Sequence, residues 1–89
     1  MKKESLTITN PSGLHARPVS KLVQASSKFQ SDIQIAAEGK RVNAKSILGV
    51  MSLGIKMGDV VELQIDGADE LQAMQELMQL IQSGLGEEA

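Results

Sequence analysis

Four short stretches of this chain alternate apolar with polar residues, and three stretches among them repeat apolar residues at helical spacing. This succession of periods constrains the fold more than composition does. A period of two sends side chains to opposite faces of a strand, and a period near 3.6 gathers them on one face of a helix. Leu6 and Ile8 alternate with Ser5, Thr7 and Thr9 until Asn10-Pro11-Ser12-Gly13, all turn formers, end the run. From Val19 the period changes, and Val19, Leu22, Val23, Ser26 and Phe29 share a helical face opposite Lys21, Gln24 and Lys28. Ile33, Ile35 and Ala37 alternate again, Glu38-Gly39 makes a tight turn, and Val42 and Ala44 mark the returning strand of a hairpin.

Ser46 predicts the N-cap of a short helix from Ile47 to Leu53, stopped by Gly54. Gly58-Asp59 then turns the chain into a fourth strand at Val61, Leu63 and Ile65. Asp69 reads as the next N-cap with Gln72 as its capping-box partner. Behind it Leu71, Met74, Leu77, Met78 and Ile81 form an apolar stripe, read as core and ended by Gly84. The tail Gly86-Glu87-Glu88-Ala89 is expected to fray. The order is therefore β-α-β-β-α-β-α. Strands with one apolar face each need cover on that face alone, and three amphipathic helices supply it. The expectation is an α+β open-faced sandwich, a single domain spanning residues 1–89.

Composition narrows the function classes. The chain has no cysteine and one histidine, so it offers neither a disulfide framework nor the four N or S ligands of structural zinc. No metal or other cofactor is expected. A net charge of −2 and a single aromatic residue, Phe29, provide no basic stripe and no base-stacking platform, which argues against nucleic acid as a partner. No apolar run approaches the ~20 residues of a membrane span. Met1-Lys2-Lys3-Glu4-Ser5 leads into an alternating segment rather than the apolar core of a signal peptide. With no extra apolar seam visible, a cytoplasmic monomer is expected.

The one histidine, His15, lies in Gly13-Leu14-His15-Ala16-Arg17-Pro18 at the mouth of the first helix. Neutral imidazole is a good nucleophile and its bond to phosphorus is labile, so a phosphoryl group accepted there can be handed on. The positive end of a helix disfavours imidazolium and favours the added negative charge of the phosphorylated ring. Backbone N–H groups of the first turn, those of Ala16 and Arg17, can bond phosphoryl oxygens. Arg17 adds a planar guanidinium that matches a phosphoryl group and stays charged. Phosphoryl transfer asks mostly for positioning and charge stabilisation, so these few groups suffice. Pro18 suits a first turn, where its missing N–H costs nothing, but a residue before proline resists helical geometry. Which residue caps the helix therefore stays open. The plain alternative is that His15 only caps a helix and Arg17 is a solvated charge.

Ser46 has an N-cap as its plain role. A phosphate on its hydroxyl would bring about 1.5 to 2 negative charges to a helix start, and Lys45 beside it suits such a group. Ile47, Leu48 and Met51 fall at i, i+1 and i+4 of a helix too short to bury them all. Part of this trio is expected to remain exposed as a docking patch.

Gly13-Leu14-His15-Ala16-Arg17-Pro18, followed by Val42-Asn43-Ala44-Lys45-Ser46-Ile47-Leu48-Gly49-Val50-Met51-Ser52-Leu53-Gly54, strongly resembles the HPr family. These are the histidine-containing phosphocarriers of the bacterial phosphoenolpyruvate-dependent sugar phosphotransferase system. The likeness runs over the whole chain in length, element order and the separation of the two motifs. It implies a four-stranded antiparallel sheet in the order 1-4-2-3 with three helices on one face. It also implies that His15 takes a phosphoryl group on Nδ1 from phosphorylated enzyme I and passes it to a histidine of a IIA domain of a sugar permease. Arg17 would attend the phosphoryl group. Such a protein is a carrier, itself phosphorylated stoichiometrically, rather than an enzyme.

The resemblance further implies phosphorylation of Ser46 by HPr kinase/phosphorylase. The added charge impairs docking to enzyme I and can create a surface for a catabolite-control transcription factor. It sets Ile47, Leu48 and Met51 beside His15, with Lys21 and Gln24 completing the rim and Lys21 and Arg17 steering acidic partners. Val19 departs from the pattern, since many relatives carry alanine after the proline. Two further readings stand beside the sugar carrier: a nitrogen-branch phosphotransfer paralogue without a permease partner, and a regulatory module that binds without carrying phosphate. The Ser46-Ile47 segment favours the sugar carrier over the first, and retention of His15 and Arg17 counts against the second.

Overall fold

The apolar side of each alternating segment needs a neighbour, and in the computed structural model, which describes residues 1–86, helices stacked on one face of a sheet provide it. In chain order the elements are β1 (Lys2–Thr7), α1 (Ala16–Ser27), β2 (Asp32–Ala37), β3 (Lys40–Asn43), α2 (Ile47–Met51), β4 (Val60–Asp66) and α3 (Glu70–Gln82). The strands form one antiparallel sheet in the order β1-β4-β2-β3, as the resemblance implied. In β4, Leu63 stands opposite Glu4 of β1 and Ile35 of β2.

Ile33, Ile35, Val61, Leu63 and Ile65 are buried on the covered face, while Asp32, Gln34, Glu62 and Asp66 alternate onto the other. A register slip of one residue would turn that apolar set out of the core, so the alternation itself locks the pairing. Val19, Leu22 and Val23 of α1 and Ala73, Met74, Leu77 and Ile81 of α3 close the core from above. Each fully buried Leu or Ile contributes about 1.5–3 kcal/mol, so this shared face holds the short strands together. Glu38 and Gly39 join β2 to β3 with φ of 50° and 81°, the two positive values that a type I′ hairpin turn requires.

Four local expectations are corrected. Leu71 is 58% exposed and lies outside the core stripe of α3. At 3.6 residues per turn it sits about 120° round the helix from Leu77, beyond the half-buried Met78. Helix α2 ends at Met51 rather than Leu53. Its last turn tightens, with Leu53 N–H donating to Val50 O at 3.1 Å and Gly54 N–H to Met51 O at 3.2 Å. Asp69 occupies the N-cap position of α3, but its side chain makes no cap bond. Its carboxylate instead accepts from the backbone N–H groups of Gln30 and Ser31, both at 2.9 Å, and from the Ser31 hydroxyl. Gln72, expected to reach back to the Asp69 N–H, is exposed and makes no such bond, and the acidic side chain bonded at this end is Glu70, which accepts from Gly67 N–H at 3.2 Å. The fraying expected of the tail falls, beyond Gly86, on residues 87–89, outside the described residues.

Candidate functional site

The loop between β1 and α1 must deliver His15 to the start of a helix, and its geometry depends on one glycine. Gly13 has φ of 60°, and a Cβ there would lie 2.5 Å from Ile55 O and 2.7 Å from Lys56 Cα. Only a residue without a side chain lets the loop press so closely onto the segment that precedes β4. Leu14 follows with its side chain buried and its N–H donating to Ile55 O at 3.0 Å.

His15 is then the N-cap residue of α1, with φ −108° and ψ −173°, and Val19 N–H donates to its carbonyl at 2.8 Å. This answers the question of the cap: the histidine backbone opens the helix while the imidazole makes no cap hydrogen bond. The ring is exposed. Ala16 and Arg17, also exposed, are the first two helical residues, so their N–H groups have no carbonyl to meet within the helix. Pro18 takes the third position with its ring buried, and it has no N–H to satisfy. The helix start thus carries two backbone donors, a fixed guanidinium and an imidazole on three consecutive exposed residues. Among the described residues no carboxylate forms an ion pair with Arg17. That arrangement is suited to a dianionic group on the ring.

Ser46 caps α2, with φ −113° and ψ 117°, and its Oγ accepts from Gly49 N–H at 3.1 Å. The amine of the neighbouring Lys45 donates to Phe29 O, past the end of α1, at 2.7 Å. Lysines are commonly drawn to carbonyls at that end of a helix. In α2 only Val50 is buried, whereas Leu48 is 82% and Ile47 46% exposed. Met51 packs half-buried against the core, so the trio divides between core and surface. Gln24 is exposed on α1, while Lys21 is half-buried with its amine pressed close to the Gly86 backbone. Helix α2 packs on α1, and the chain leaving it reaches Gly13 at Ile55 and Lys56.

Three residues near the loop escaped the sequence reading. Asn10 was read only as a turn former, yet it is 2% exposed and its side-chain amide donates to Gly13 O at 2.7 Å. Lys56 lies against Gly13, and Met57 beside it is 60% exposed. No local pattern marks Lys56 and Met57, because their nearness to the loop arises from contacts across more than forty positions of chain. Asn10 did carry a signal, a polar residue at an inward position of the strand alternation that includes Leu6 and Ile8.

Comparison with known proteins agrees with this geometry. A family model described as the PTS HPr component phosphorylation site matches residues 2–83. The phosphocarrier protein HPr of Xylella fastidiosa is 49% identical over 88 residues, covering 99% of both chains. A crystal structure of HPr from Thermoanaerobacter tengcongensis superposes with a TM-score of 0.97 at 49% identity, covering 100% of both chains. A crystal structure of an HPr dimer from the same organism gives a TM-score of 0.79, again at 49% identity, over 98% of this chain and 100% of that one. The chain belongs to the HPr family, the phosphocarriers of the phosphotransferase system.

Proposed function

We propose that the chain carries its phosphoryl group on Nδ1 of His15, receiving it from phosphorylated enzyme I and delivering it to a IIA domain of a sugar permease. The observation that carries this reading is an exposed imidazole on the N-cap residue of α1, making no cap bond of its own, beside two N–H groups without helical partners. In the transfer, the Nδ1 lone pair attacks phosphorus. The bond to the donor breaks with its electron pair left on the donor, and the same exchange in reverse discharges the carrier. Arg17 and the N–H groups of Ala16 and Arg17 hold the phosphoryl oxygens in both steps.

The partner surface in this reading comprises Lys21, Gln24, Ile47, Leu48 and Met51, supported by the exposure of Ile47, Leu48 and Gln24 on neighbouring helices. Ser46 is a second, regulatory acceptor for HPr kinase/phosphorylase, and its phosphorylated form a ligand for a catabolite-control transcription factor. A phosphate there is compatible with the cap, since its oxygens can accept from N–H groups at the helix start, and it would alter charge at the foot of the exposed patch. The whole chain, residues 1–89, would act as one domain, as a cytoplasmic monomer. No helix of the described residues is long and apolar enough to cross a membrane.

Incubation with enzyme I, phosphoenolpyruvate and Mg²⁺, read by intact mass, tests the carrier. Wild type should gain one acid-labile phosphoryl group, and the His15→Ala variant none. Failure of the first sinks the carrier reading, and labelling of the variant sinks the site. With HPr kinase and ATP an acid-stable phosphate is expected that disappears in Ser46→Ala. Its absence from wild type would leave the serine a cap alone.

A further inference from the structure

The peptide plane joining Gly13 to Leu14 is held at both ends. Its carbonyl accepts a hydrogen bond from Asn10 Nδ2 at 2.7 Å, and its N–H donates to Ile55 O at 3.0 Å. One peptide plane further on comes His15, whose carbonyl is already engaged by Val19 N–H. With the Leu14 side chain buried between the two, few backbone torsions remain to move the imidazole. Of the groups that hold this plane, the Asn10 amide is the one supplied by a side chain. The turn itself is closed without it, because Gly13 N–H donates to Asn10 O at 3.1 Å. Placing an amide at 2% exposure carries a desolvation cost that an apolar residue at this inward position would avoid. The geometry points to Asn10 as a positioning residue that orients His15 for phosphoryl transfer by fixing the Gly13–Leu14 peptide.

This inference rests on His15 being the phosphoryl carrier. Asn10 is buried, so its contribution belongs in the turnover of the bound complex rather than in docking. In transfer from phosphorylated enzyme I, Asn10→Ala should lower kcat by roughly 10-fold and leave KM within about 2-fold, since even ~1 Å of misplacement can cost ~100-fold. An unchanged kcat, or a loss confined to KM, overturns the proposal.

Asn10→Asp supplies a readout that a merely structural role would not give. Ionised, the new carboxylate cannot donate to Gly13 O. Protonated, its O–H can. Burial beside a carbonyl raises a carboxyl pKa, which brings this change toward the assay range of about pH 5.5–8. The ratio of variant to wild-type kcat should therefore rise as pH falls, and a flat ratio overturns the proposal even if Asn10→Ala fails to fold. Wild type that accepts no phosphoryl group from enzyme I would sink the carrier reading instead, so the two failures are distinct.

Discussion

At Gly13 two separate requirements meet in one residue: a left-handed φ and the close approach of the Ile55–Lys56 backbone. Alanine there would meet backbone atoms that have no rotamer to yield, in addition to the ~1–2 kcal/mol cost of left-handed geometry for an L-residue. Gly13→Ala is expected to destabilise the fold by about 2 kcal/mol or more, measured by urea denaturation, and to slow phosphoryl acceptance by more than the unfolded fraction explains. A variant as stable as wild type would show that the loop moves aside freely. The glycine was visible in the sequence as a turn former. Its reason was not, because the atoms it must avoid lie in a distant segment. His15 and Arg17 were legible for the opposite reason: the N–H groups, the guanidinium and the imidazole all sit within one helical turn, where spacing alone places them together.

Among the elements, the entry to α3 illustrates how a local rule yields to a tertiary bond. Asp69 sits where an N-cap belongs, but its carboxylate ties the α1–β2 loop to the β4–α3 loop through Ser31 and Gln30. The Ser31 hydroxyl, then the Gln30 N–H, hold its pKa below the ordinary aspartate value of 3.8. A carboxyl with a depressed folded pKa lends stability that is fully present above its unfolded pKa and is lost as pH falls through the folded value. The stability gap between wild type and Asp69→Ala should hence be constant from neutral pH down to about the ordinary carboxylate range, then narrow below pH 3.8. Thermal unfolding across that range checks it, and a gap independent of pH would contradict the assignment. Helix α2 shows the same limit from the other side. Its cap at Ser46 was readable, but the division of Ile47, Leu48 and Met51 between surface and core depended on where α1 and the sheet stand.

For the molecule as a whole, one face of the sheet is given to the core, and the exposed apolar residues of α2 lie on a helix that packs beside α1. Leu48 touches so little of the core that Leu48→Ser should shift stability by no more than about 0.5 kcal/mol, the usual scale for exposed positions. If Leu48 belongs to the docking surface, the same change should raise KM for enzyme I several-fold with kcat little altered. An unchanged KM would remove it from the interface. Element order, the covered face and the chemistry of the first helical turn were all written in the sequence, because they follow from periodicity and from neighbours a few residues apart. The tertiary structure alone decided that Ile55 holds the Leu14 N–H, that Lys45 bonds the Phe29 carbonyl, and that Asp69 bonds a loop instead of its own helix. Those are contacts between segments far apart in the chain, and they come into being only when burial of the common apolar face brings the segments together.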